Sequence, residues 1–98
     1  MVKLIALYRT PADKEAFDQK YFNEHIPLVE KMPGLLKTEI AKLKGLGDSK
    51  YYLQAEMYFT DMDSFNTAMD SPEGKASAKQ LMGFAKEVVE MHIGEIRD

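Results

Sequence analysis

Tyr51-Tyr52-Leu53-Gln54-Ala55-Glu56-Met57-Tyr58-Phe59 is the stretch whose reading decides the fold. Strand side chains alternate between the two faces of a sheet, so Leu53, Ala55, Met57 and Phe59 share one side and Tyr52, Gln54, Glu56 and Tyr58 the other. The first set is apolar throughout and asks for a cover of helices. The second is half polar and half aromatic, a mixture that suits neither open water nor a dry core. Outward from this strand, Val2 to Tyr8 is a short apolar run with Lys3 as its only charge, and reads as a mostly buried strand. Leu35 to Leu43 has the mixed alternation of a third, the Gly- and Asp-rich turn 45–49 leads into Tyr51, and Val88 to Ile96 supplies a fourth.

Helices fill the gaps. Thr10 suits an N-cap, Pro11 the first helical position, and Asp13 the positive end of the dipole, which predicts a helix from about Pro11 to about Glu24. Pro27 disfavours α geometry at Ile26, so that helix should break at or near His25, with a short turn from Pro27 to Met32 before Pro33-Gly34. Asp61 caps a second helix through Phe65 and Met69; Ser71-Pro72-Glu73 restarts one that carries Ala76, Ala78, Leu81 and Met82 and ends near Gly83. The order is βαββαβ, and a weak internal echo, Asp13-Lys14-Glu15-Ala16-Phe17 against Asp61-Met62-Asp63-Ser64-Phe65, fits two halves. The expected fold is α+β: a ferredoxin-like βαββαβ sandwich with a four-stranded antiparallel sheet and both helices on one face.

With 98 residues the chain reads as one domain, 1–98, small enough that covering the bare sheet face with a second copy adds needed burial. Hydrophobic residues at 45% and charged residues at 30% place it outside the disordered regime. A net charge of −3 with no Lys/Arg stripe argues against nucleic acid, and the strand 51–59 lacks the basic residue and glycine of an RNA-binding sheet. The absence of cysteine excludes disulfides, thiolate metal sites and a cysteine nucleophile. No stretch is long enough to span a bilayer and Leu4 to Leu7 is too short for a signal-peptide core, so the expected address is the cytoplasm. No His, Cys or Asp spacing resembles a metal-ligand set, and Gly45-Leu46-Gly47-Asp48 makes a turn and no phosphate cradle; neither metal nor cofactor is expected. Met32, Met57, Met69 and Met82 fall at core spacing, and Lys37, Lys42, Lys44 and Lys50 protect a strand edge.

The candidate reactive group is His25. Phe17, Tyr21 and His25 recur at i, i+4 and i+8, and Leu28 and Met32 continue the stripe, so the imidazole faces the packed side of its helix. Burial favours its neutral form and a helix C-terminus its cation. The plainer alternative is a helix-end histidine that bonds a nearby carbonyl and does no chemistry. A second group of candidates lines the uncovered sheet face. Two such sheets packed across a two-fold would close a barrel around a small-molecule cavity, with Tyr52, Gln54, Glu56 and Tyr58 from one strand, Tyr8 from the first, and His92, grouped by alternation with Val88, Glu90 and Gly94, as substrate-binding residues.

The pieces Leu4-Ile5-Ala6-Leu7-Tyr8-Arg9, Phe17, Tyr21-Phe22-Asn23-Glu24-His25-Ile26-Pro27-Leu28, Met32-Pro33-Gly34-Leu35, Ala55-Glu56-Met57-Tyr58-Phe59 and Ser64-Phe65 span nearly the whole chain. Together they resemble the EthD-like family, named for ethyl tert-butyl ether degradation, of the dimeric α+β barrel superfamily. The resemblance implies a homodimer whose barrel interior binds a small apolar or aromatic molecule, with His25 and the neighbouring Tyr21 as the characteristic polar position. Related barrels include cofactor-independent monooxygenases, isomerases, dehydratases, cyclases and haem-binding enzymes, and fold alone does not choose among them. As an enzyme, the protein would use His25 as general acid or base, Tyr21 or Tyr58 to hydrogen-bond a developing oxyanion, and Glu56 to orient the proton transfer. As an accessory carrier, it would need only the lined cavity. A purely structural domain, in which His25 and the tyrosines only pack, is the third reading.

Overall fold

In a computed structural model, which describes residues 1–97, the strands β1 (Val2–Arg9), β2 (Lys37–Lys42), β3 (Tyr51–Phe59) and β4 (Val89–Glu95) form one antiparallel sheet in the order β2-β3-β1-β4. Helices α1 (Lys14–Lys20) and α2 (Ile26–Val29), joined through a π-helical turn over Tyr21–His25, make the first crossover. Helices α3 (Met62–Asp70) and α4 (Pro72–Phe84) make the second. This is the ferredoxin-like α+β sandwich that the strand pattern demands.

One face of the sheet is the core. Val2, Leu4, Ala6 and Tyr8 from β1 lie beside Leu53, Ala55, Met57 and Phe59 from β3, all buried under Phe17, Tyr21, Val29, Phe65, Ala68 and Leu81 from the helices. The opposite face carries Lys3, Ile5 and Leu7 against Tyr58, Glu56 and Gln54, with Gly94, His92 and Glu90 across β1. Gly34 closes the turn before β2 with φ of 80°, a left-handed conformation that other residues rarely adopt.

Three local outcomes differ from the sequence reading. The first helix starts at Lys14 because Thr10 is drawn into the sheet: its N–H bonds the Lys50 carbonyl at 2.9 Å, and Asp13 takes the cap by accepting from the Ala16 N–H at 3.0 Å. Nor does Pro27 end the helix. The Ile26 N–H reaches back five residues to the Tyr21 carbonyl, and this widened turn shifts the ladder so that the helical path continues through Pro27, which has no N–H to place. On α4 the buried row is Gly74, Ser77 and Leu81, continued by Ala85 after the helix; Ala76, Ala78 and Met82 face outward.

Candidate functional site

The π turn sets the geometry around His25. Tyr21 opens it and His25 closes it, and both are buried. Phe17, one turn earlier, stacks on Tyr21 with centroids 5.6 Å apart and planes 9° apart; Tyr21 and His25 lie 5.4 Å apart. Tyr8 rises from the sheet to meet Phe17 at 5.5 Å and Tyr21 at 5.0 Å, edge-on in both cases. Phe84 at the end of α4 touches Phe17 at 5.5 Å and His25 at 6.4 Å. The imidazole therefore ends an aromatic cluster between helices and sheet.

Only Gln80, among the described residues, hydrogen-bonds that imidazole: Nδ1 and the Gln80 Oε1 are 3.1 Å apart. Burial lowers the His25 pKa from its ordinary value, and the Gln80 contact offsets this in part, so the ring is held toward its neutral form. The same burial raises the tyrosines. Tyr21 is pushed up to about 12 and Tyr8 further, the latter also through the Tyr21 hydroxyl beside it, so both phenols keep their protons at neutral pH.

Next to this cluster, a groove of about 630 Å³ opens between the start of α1 and the α4–β4 connection, with Phe17, Lys20, Met82, Phe84, Glu87 and Val88 among its lining. Phe17 and Phe84 belong to both: they wall the groove on one side and contact the Tyr21 and His25 rings on the other.

A family model for the EthD domain matches residues 9–87 of this chain. The chain belongs to the EthD family. It is 49% identical to an EthD-family protein of Bacillus halodurans whose crystal structure superposes with a TM-score of 0.95 over 99% of both chains. An uncharacterised 11.0 kDa protein of Rhodococcus erythropolis is 32% identical over 93 residues, covering 93% of this chain and 90% of that one. More distant in sequence, SnoaB of Streptomyces nogalater, a cofactor-independent oxygenase, is 18% identical with a TM-score of 0.73, over 99% of this chain and 93% of that one. A dimeric ferredoxin-like protein of unknown function from Thermobifida fusca is 16% identical with a TM-score of 0.74, over 97% and 90%. The last two likenesses show a common fold.

In this EthD-family chain the sheet divides the residues that the sequence reading grouped. Tyr8, Tyr21 and His25 lie on the helix-covered side, whereas Gln54, Glu56, Tyr58 and His92 lie on the open side. A cavity bounded by the open face would contain the second set and not the first. Tyr52 departs from its expected neighbours as well. The β1–β3 register slips between Tyr8 and Arg9, and this bulge turns Tyr52 toward α1, where its ring meets Phe17 at 6.1 Å and its hydroxyl donates to Asp18 at 2.9 Å. Lys42 completes that cluster by bonding both Asp18 and the Tyr52 hydroxyl. The slip puts Tyr51 opposite Arg9, and its hydroxyl donates to Glu90 at 3.0 Å.

The open-face carboxylates are occupied. Glu56 pairs with Lys3 at 2.5 Å and Glu90 with Arg9 at 2.9 Å. Both the Lys37 and Lys3 ammoniums sit over the Tyr58 ring, at 4.6 and 5.7 Å. Glu56 thus cannot orient His25, from which the sheet separates it. The residue that does bond His25, Gln80, escaped the sequence reading; its place three after Ser77 and one before Leu81, at the margin of the buried row of α4, is the signal that marks it. Phe84 carries a similar signal, three residues after Leu81.

Among the described residues no His, Cys, Asp or Glu cluster fits a metal ion, and no helix is long and apolar enough to cross a membrane.

Proposed function

We propose that this protein binds a small apolar or aromatic molecule in the groove beside Phe17 and Phe84, and that His25 acts on it as a general base without a bound cofactor. The observation that carries the reading is the state of the imidazole: buried, biased to the neutral form, and bonded, among the described residues, at Nδ1 by Gln80. A neutral ring that donates from Nδ1 to the Gln80 oxygen keeps its lone pair on Nε2, which is the form that accepts a proton from an acidic phenol or from carbon next to a carbonyl. Tyr21, kept protonated, is the neighbouring donor for the oxygen on which negative charge develops. The fold shared with a cofactor-independent oxygenase agrees with chemistry that relies on side chains alone.

His25 does not itself line the groove; Phe84, which lines it, is the ring that also touches the imidazole. That observation favours, as a second reading, an accessory carrier in which the groove holds a hydrophobic compound and His25 only packs. Two copies of the chain joined through their open sheet faces complete the proposal. Ile5, Leu7 and Tyr58 there are half-buried apolar surface, interleaved with the paired Lys3–Glu56 and Arg9–Glu90 charges, and a facing sheet would cover both. The fold shared with a protein described as dimeric supports this arrangement.

Titration of ¹⁵N-labelled protein with 2-naphthol, a compact aromatic probe with an acidic hydroxyl, tests the site. Amide shifts concentrated at Ala12, Ala16, Gly83 and Val88 are expected. Shifts concentrated at Ile5, Glu56 and His92 would move the ligand to the open face and end this reading. Turnover lost in His25→Gln while the groove still binds the probe identifies the base; a carrier keeps its affinity and has no turnover to lose. Sedimentation equilibrium tests the dimer; Tyr58→Glu should give a monomer.

A further inference from the structure

We propose that Gln80 is a positioning residue that holds His25 as the Nδ1–H tautomer, fixing the lone pair on Nε2. The inference rests on the reading of His25 as a base and deepens it. A neutral imidazole has one proton for two nitrogens, and the hydrogen bond made at one of them decides which carries it. Here that bond comes from a distant element: Gln80 lies on α4, His25 closes the π turn of the first crossover, and Nδ1 and Oε1 meet at 3.1 Å. The ring is confined besides by Tyr21 at 5.4 Å and Phe84 at 6.4 Å, so it has little freedom to flip and offer Gln80 its other nitrogen.

The choice of an amide matters chemically. A carboxylate at this place would also accept from Nδ1–H, but its charge would favour the imidazolium, which has no lone pair to give. An amide oxygen orients the ring and leaves it neutral. Gln80 accordingly supplies the orienting half of a catalytic dyad without the electrostatic half, an arrangement suited to a base that must be free of its proton at rest. The π turn serves the same end. Its extra residue rotates His25 relative to a regular helix while Tyr21 and His25 both stay buried, and it brings Nδ1 within 3.1 Å of the Gln80 Oε1 on α4.

The chain has two histidines, and His92 on β4 is exposed, so it serves as an internal reference for an imidazole facing water. Long-range ¹H–¹⁵N correlation of the ring nitrogens in the labelled full-length protein, at a pH where both rings are neutral, reads each tautomer directly. His25 is expected to show a protonated Nδ1 and an imine-type Nε2, distinct from the pattern of His92. Gln80→Met, of similar length and without an oxygen, should shift His25 toward the His92 pattern; Gln80→Glu, whose carboxylate still accepts, should keep the proton on Nδ1. A protonated Nε2 in the unaltered protein, or an Nδ1–H bias that survives Gln80→Met, would overturn the assignment. The readout needs neither ligand nor turnover. An Nδ1–H tautomer in a protein whose chemistry survives His25→Gln supports the positioning role while ending the base reading.

Discussion

Both crossovers leave the sheet through an aspartate cap and bury a phenylalanine four residues later: Asp13 and Phe17 in the first, Asp61 and Phe65 in the second. From there they part. The second runs through two ordinary α-helices hinged at Ser71, and Phe65 meets one aromatic ring, Phe59, at 5.5 Å. The first passes through the π turn, and Phe17 meets four: Tyr8, Tyr21, Tyr52 and Phe84. One half of the pseudo-repeat has kept regular helix and plain core packing, and the other has an irregular helix with polar-tipped aromatics and a histidine. Irregularity of this kind concentrates where a side chain must be aimed.

The strongest way to break that contrast is to truncate its two phenylalanines. Each replacement by alanine in a packed core costs on the order of 3–5 kcal/mol. Phe17→Ala is expected at the upper end because it strips contacts from four rings, Phe65→Ala at the lower, and urea denaturation midpoints check the order. Equal losses would mean that the aromatic cluster collapses onto the vacancy and is not the rigid frame proposed for His25.

The hinge of the second crossover offers the next largest effect. A Cβ placed on Gly74 would lie 2.0 Å from the Ala68 carbonyl oxygen, so α3 and α4 must separate to admit it. Gly74→Ala is expected to destabilise by about 1–3 kcal/mol. Gly83, in the same helix, has nothing within 4 Å of its added Cβ, and Gly83→Ala should stabilise by about 0.5–1 kcal/mol through helix propensity. Opposite signs in thermal melts would show that close approach of backbone, not helix propensity, accounts for Gly74. The caps come next. Asp13→Ala should cost about 1 kcal/mol by freeing the Ala16 N–H, and Asp61→Ala should lower the melting temperature in the same sense.

The fold was legible because its decisive signals are periodic. Alternation in β3 assigned the buried face residue by residue, and the Asp and Phe echo paired the crossovers. The echo also contained the true start of the first helix, since aligning Asp13 with the Asp61 cap displaces Thr10 from that role. What escaped lies where one local rule met a longer-range one. The bulge at Tyr8/Arg9 exchanged Tyr51 and Tyr52 between faces, and no residue in either strand announces a register slip. Pro27 predicted a break because an unbroken α-helix cannot hold it there, yet the π turn that ends at His25 leaves Pro27 in the first turn of α2, where its missing N–H costs nothing. The candidate site was half legible: the apolar stripe through Phe17, Tyr21 and His25 was plain, but assigning Tyr8, Glu56 and Tyr58 to one cavity required knowing which face each strand presents to the helices. Gln80 was hidden because a single amide on a helix margin has no pattern until its partner is placed.

The smallest expected effect is also the one that separates the crossovers by titration. Burial holds the folded pKa of His25 below the value near 6.5 of an unfolded chain, the Gln80 bond offsetting only part of that shift. As pH falls, the unfolded chain takes up the proton first, so His25 contributes nothing to the slope above about pH 6.5, and stability declines below it until the folded imidazole also protonates. Urea midpoints measured between about pH 7.5 and pH 5 should therefore fall with acidification in the unaltered protein, and more shallowly in His25→Gln. The lowered carboxylates of Asp61, Glu39 and Glu90 act in a separate window, because their stabilisation is complete above the unfolded carboxylate range and is lost only as pH falls through their own lower values. Gln80→Met tests the balance within the site. Without the amide oxygen the imidazolium loses the Gln80 bond, so the folded pKa should drop further and the acid slope extend to lower pH; a slope that shrinks instead would mean that water enters beside His25 and that the first crossover is not the sealed aromatic frame that sets it apart from the second.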